Sequence, residues 1–96
     1  MKIDVCGLPI EVRLRKPHVR DDGNMGNADL KRGIIFIESE MPVEVKKQTL
    51  IHEWLHLVYD INGIKHDEHH ISIATAELYR NGFRIKVEDD LNKDFE

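Results

Sequence analysis

Residues 50–60 read L-I-H-E-W-L-H-L-V-Y-D, and within them His52, Glu53 and His56 have the types and spacing to act together. Four residues slightly exceed one helical turn, so in a helix the two imidazoles project from one face and can chelate a single metal ion. Glu53 precedes His56 by three residues and stands on the flank of that face. From there its carboxylate reaches a water on the metal without being a ligand. Two imidazoles, a third ligand from elsewhere and a glutamate base make a site for hydrolysis by activated water, and Zn²⁺ is the ion that suits such donors.

The chain carries 6 His and 9 Glu, and a shuffled chain of that composition would contain H-E-x-x-H with a chance of roughly 3 %, so context has to decide. The context favours chemistry. Leu50, Ile51, Trp54, Leu55, Leu57, Val58 and Ile61 make the segment apolar nearly all round, which predicts a largely buried helix. An unsatisfied polar group in a core costs on the order of 1–3 kcal/mol. Two imidazoles and a carboxylate are therefore a poor choice for a helix that only fills a core.

Ninety-six residues, 41 % of them hydrophobic, suit one modest core and one domain. The net charge of −4 gives no footprint for nucleic acid. Arg13, Arg15, Lys16 and Arg20 are locally dense, but Asp21 and Asp22 follow at once, as in a solvated strand end. Cys6 is the only cysteine, so no intramolecular disulfide forms, and nothing near it in sequence would make it a nucleophile. The N-terminus lacks an apolar signal core and no stretch approaches membrane-spanning length. The expected setting is the cytoplasm of a bacterium or of a phage-infected host cell, with no membrane partner.

The elements that must position the motif are also readable. Lys2–Cys6 and Ile10–Leu14 alternate apolar and polar residues around Gly7-Leu8-Pro9, a hairpin signal. Turn formers crowd Lys16–Gly33, predicting a loop, a short strand around Asn27–Leu30 and a turn at Lys31-Arg32-Gly33. Gly33–Glu38 is the strongest strand, apolar on both faces, which implies cover on both sides. Pro42 and Glu44 suit the first turn of a helix running from Val43 to Ile61, and Asn62-Gly63 suits its end. A second helix is expected from Asp67 to Arg80, stopping at Asn81-Gly82, with Ile71, Ala74, Thr75 and Leu78 on its inner face. Phe83–Val87 reads as a last short strand, and the charged tail 88–96 as frayed. The fold expected is α+β: a twisted sheet of three or four strands (residues 1–38) packed against a two-helix part (residues 42–81), as one domain over residues 1–96.

The third ligand has to come from the second helix. The candidates are His66, Glu68, His69, His70 and Glu77. From His56 the first helix descends about six residues, or roughly 9 Å at 1.5 Å each. Residues 63–67, extended at about 3.3 Å apiece, climb that distance back, bringing Glu68 within reach. Glu77 would arrive nearer His52 and stays open as an alternative.

Q-T-L-I-H-E-W-L-H-L-V, a short turn and D-E-H-H-I-S-I-A-T-A-E-L-Y together resemble the ImmA/IrrE-type zinc metallopeptidases, especially their small phage-encoded relatives. The resemblance covers about Gly33 to Arg80. It implies a minimal zincin-like core in which His52, His56 and Glu68 hold Zn²⁺ and Glu53 is the general base. Ala74, Thr75, Leu78 and Tyr79 match the packing tail of that second helix. It also implies a protein or peptide substrate, such as a repressor or other regulator. Two departures stand out. Trp54 is bulky where relatives often carry a small residue, which would narrow the site, and His69 and His70 add rival ligands.

The remaining polar residues read more plainly. His66, His69 and His70 form a mostly solvated helix start, in which one member has the means to orient a ligand. Tyr59 and Tyr79 are oxyanion donors by chemistry, but pack as surface tyrosines by default. Trp54 reads as core or pocket wall, and His18 sits in a loop without signal. The rival to a peptidase is a zinc-stabilised regulatory or interaction module without turnover, favoured by small size and disfavoured by the presence of Glu53. A hydrolase of nucleic acid is disfavoured by the acidic balance.

Overall fold

Period-two alternation organises the N-terminal half of the chain. In the computed structural model, which describes residues 1–16 and 25–87, β1 (Lys2–Val5) and β2 (Leu8–Arg15) form an antiparallel hairpin. The turn falls on Cys6-Gly7, not on Gly7-Leu8-Pro9, because both residues take positive φ, +52° and +87°. A tight two-residue turn of that hand matches the strand twist. Cys6 is accordingly an exposed turn residue and not part of a strand. Pro9 lies inside β2, opposite Asp4.

β3 (Gly26–Asp29) and β4 (Ile34–Glu38) form a second antiparallel pair around the expected turn, and β4 lies parallel to β2. The sheet order is β1-β2-β4-β3. Register carries one apolar face across it: Ile3 pairs with Ile10, Val12 with Ile35, Leu14 with Ile37. With Val5, these side chains meet Leu50 and Leu57 of the first helix in one core. Fully burying such a side chain contributes about 1.5–3 kcal/mol. On the opposite face the Arg15 guanidinium lies over the Phe36 ring, 4.9 Å from its centroid.

α1 (Val43–Ile61) and α2 (Glu68–Arg80) have the expected limits, and their ends explain why. Ile64 N–H donates to the Tyr59 carbonyl and Gly63 N–H to that of Asp60, with Gly63 at φ +66°. Phe83 and Gly82 repeat the same pair of bonds onto Leu78 and Tyr79 at the end of α2. Both are Schellman stops, for which glycine supplies the left-handed residue. At the start of α2 the Asp67 carboxylate accepts from His70 N–H at 3.1 Å. That bond, joined by the nearby His70 and His69, holds the Asp67 carboxyl below its ordinary range, with slight desolvation opposing.

Three expectations need correction. α1 is not buried all round: Leu50, Ile51, Glu53 and Leu57 are buried, while Trp54, Leu55 and Val58 are only partly covered. Phe83–Val87 forms no strand. After the α2 stop, Phe83 packs on Trp54 with ring centroids 5.5 Å apart, and Ile85 and Val87 flank the core without a ladder. Side-chain contact, not backbone pairing, secures the segment. Trp54 faces that segment and lines no part of the cleft described below, so it does not narrow the site. His18, Arg20, Asp21, Asp22 and the tail 88–96 lie outside the described residues. Among the described residues no helix is long and apolar enough to cross a membrane.

Candidate metal centre

His52, His56 and Asp60 recur at every fourth residue of α1, on the face turned towards α2 and β3. The six-residue connection 62–67 reverses the chain and delivers Glu68 as the first residue of α2. Ile71 and Thr75, on the same face as Glu68, are buried and fix that helix against α1. The result is convergence. His52 Nε2 lies 2.6 Å from Glu68 Oε1, His56 Nε2 lies 2.8 Å from Glu68 Oε2, and the two Nε2 atoms are 3.2 Å apart.

The donor set fits a metal ion. One atom each from His52, His56 and Glu68 falls within 4.8 Å of the others, and this is the one such group found among the described residues. Lone pairs facing one another this closely repel unless a proton or a metal cation lies among them. Metal–nitrogen bonds of about 2.0–2.1 Å in a tetrahedron set nitrogens about 3.3–3.4 Å apart, close to the observed 3.2 Å. Burial, and secondarily the neighbouring His52 and His66, pushes the His56 imidazole below its usual pKa against the pull of Glu68. The neutral ring, which is the form that ligates, is thereby favoured. Glu68 is the exposed member, with its side chain 66 % accessible.

Glu53 sits beside the trio but does not belong to it. The residue is 8 % exposed, and burial pushes its carboxyl above the ordinary range, with His52 opposing and Glu68 reinforcing. A base with a raised pKa is better matched to neutral operation than an ordinary carboxylate. The cleft around these groups encloses about 750 Å³, within the span typical of ligand sites. β3 forms one wall (Gly26, Asn27, Ala28), α2 the other (Ser72, Ala76), and the candidate metal ligands lie between them.

Gly26 sets the distance between β3 and the face of α1 that carries Thr49 and Glu53. A Cβ at this position would lie 2.7 Å from Thr49 Cγ2, 3.1 Å from the Phe36 carbonyl oxygen and 3.2 Å from Glu53 Cγ. The Phe36 contact is backbone within the sheet and cannot rotate away. We predict that Gly26→Ala destabilises the fold by about 1–3 kcal/mol, the usual cost of overpacking, as measured by urea unfolding. An unchanged midpoint would mean that β3 and α1 separate freely.

Other candidates fall away from the centre. His69 and His70 are exposed, and His70 meets only Asp67. Glu77 pairs with Arg80 at 3.4 Å on the outer surface. Tyr59 approaches His66 edge-on, Tyr79 lies under Arg84, and neither tyrosine lines the cleft. His66, read as part of a solvated helix start, instead bonds to His56 and Asp60. The periodic signal for Asp60, four residues beyond His56, was present in the sequence. The conformation of the connection that brings His66 to it was not.

Scanned against protein-family models the chain matches none, and no curated protein or solved structure is significantly similar to it.

Proposed function

We propose that this chain is a zinc-dependent metallopeptidase. The observation that carries the reading is the meeting of three ligand atoms, from His52, His56 and Glu68, beside a buried glutamate in an open cleft. The likeness of residues 33–80 to the ImmA/IrrE-type motif pattern supports the same assignment. Zn²⁺ held there would polarise a scissile carbonyl and bring the pKa of a water towards about 7. His52 and His56 would offer Nε2 as ligands, and Glu68 a carboxylate oxygen as the third. Glu53 takes the proton from the attacking water and passes it to the leaving amine. β3 is an edge strand bordering the cleft, so an extended peptide laid along it gains backbone hydrogen bonds. A protein substrate, such as a regulator, suits this geometry better than a small molecule. The cleft also weakens the case for a module without turnover, which leaned on a lack of room.

The first test is metal content. Purified protein should hold one zinc per chain, and chelation should lower its melting temperature. Binding to the native state at 100 times Kd adds about 2.7 kcal/mol, which for a domain of this size corresponds to on the order of 10 °C or more. Elemental analysis and melting curves with and without a chelator measure both quantities. Protein that takes up no zinc, with a melting temperature indifferent to it, would refute the assignment.

A further inference from the structure

His56 makes a contact that metal binding by itself does not require. Its Nδ1 lies 2.7 Å from Nδ1 of His66, while Nε2 of His66 meets the Asp60 carboxylate. The two ring centroids are 4.9 Å apart with planes 23° from parallel. That separation is about the nitrogen–nitrogen distance plus the two ring radii, so the rings meet edge to edge. An in-plane N–H therefore points at the partner nitrogen's lone pair.

With both rings neutral and Nε2 of His56 acting as a metal ligand, the protons in this chain have one arrangement. His56 turns Nε2 towards Glu68 and His52, so in the ligating form its proton sits on Nδ1. That N–H donates to Nδ1 of His66. A neutral imidazole accepting at Nδ1 carries its own proton on Nε2, which donates to Asp60. An ionised carboxylate only accepts, so with both rings neutral and Nε2 of His56 held as a ligand the chain runs in this direction. His66 is not among the converging ligand atoms. Its near nitrogen faces the edge of His56 opposite the one offered to Glu68.

We propose that His66, anchored on Asp60, is a positioning residue that locks His56 into its ligating tautomer and ring orientation. The proposal rests on reading His52, His56 and Glu68 as a metal centre. Outer partners of this kind tune affinity by roughly 10–100-fold when removed. The interposed imidazole takes the place that a carboxylate or backbone carbonyl more often occupies beside a ligating histidine.

The test uses the full chain with zinc as the only probe, titrated against a competing zinc indicator. His66→Ala should weaken zinc binding about 10–100-fold, with the helical circular dichroism retained. His66→Gln should recover most of that loss, because its amide can accept from His56 and donate to Asp60. Long-range ¹⁵N–¹H NMR of the zinc-loaded wild type should find the proton of His56 on Nδ1 and that of His66 on Nε2. This readout is independent of how well any variant folds. Equal affinity in wild type and His66→Ala would overturn the proposal, as would a proton on Nδ1 of His66 in the zinc-loaded protein. A Gln variant as weak as Ala would also overturn it, by removing the hydrogen-bonding role. An unrescued loss matching that of His52→Ala would make His66 a ligand instead. Wild type that takes up no zinc refutes the metal reading itself, whereas wild type that takes up zinc with the same affinity as His66→Ala refutes only the role of His66.

Discussion

Glu53→Gln should leave zinc affinity nearly intact and reduce peptide-bond hydrolysis by roughly 10²–10⁴-fold, the usual cost of losing a general acid–base group. The substitution keeps the shape of a side chain that is almost fully buried and removes only its ability to take a proton. The measurement compares wild type and variant on co-expressed candidate proteins from the same genetic neighbourhood, with mass spectrometry of new termini. Undiminished cleavage by the variant would exclude Glu53 as base. Stable binding of a partner with no cleavage by the wild type would favour the regulatory module.

The same variant has a second expected effect, in the chelated protein. Burial raises the Glu53 carboxyl in the fold, so its ionised form at neutral pH opposes folding. Glu53→Gln should therefore raise the melting temperature there. The sign follows from linkage. A carboxyl whose folded pKa exceeds its unfolded one costs stability above the folded value and nothing below the unfolded one. The gain should accordingly shrink as pH falls into the ordinary carboxylate range. A site held at some expense to the fold is what a working base requires.

Glu68→Ala should weaken zinc binding by more than the roughly 10–100-fold typical of outer partners, and Glu77→Ala, His69→Ala and His70→Ala should each leave it nearly unchanged. Glu68 alone of these places both carboxylate oxygens on the two imidazoles, at 2.6 and 2.8 Å. Its exposure means that the metal-free fold should hardly respond, within about 0.5 kcal/mol, because the α2 cap belongs to Asp67. Competitive titration with a zinc indicator reads the affinities. A large loss in Glu77→Ala, with Glu68→Ala near wild type, would move the third ligand about two and a half turns along α2.

The parts legible from sequence were those fixed by neighbours in the chain. Pro42, Asn62-Gly63, Asp67 and Asn81-Gly82 mark both helices because caps and Schellman stops are local. The H-E-x-x-H spacing and the reach of a short connection place Glu68 by the same kind of argument. The rest depends on contacts distant in sequence. Nothing near β2 indicates that it lies parallel to β4 with β3 at the outer edge. Gly26 resembled one more turn former, yet its missing side chain is required by Thr49 and Glu53, far along the chain. His66 resembled a solvated residue because its partners depend on how residues 62–67 turn back. Phe83–Val87 had strand-like composition, but the sheet edge lay elsewhere.

Among the described elements, α2 packs against α1 and against no strand. One of the three candidate ligands thus rides on the element with the least hold on the rest of the domain. An ion gripped by His56 and Glu68 closes a ring through eleven intervening residues. In chain-entropy terms a covalent cross-link over a ring of similar size restricts the unfolded ensemble by on the order of 3 kcal/mol. An ion held there would add to the hold that buried Ile71 and Thr75 give α2 on α1, and its withdrawal would loosen one wall of the cleft.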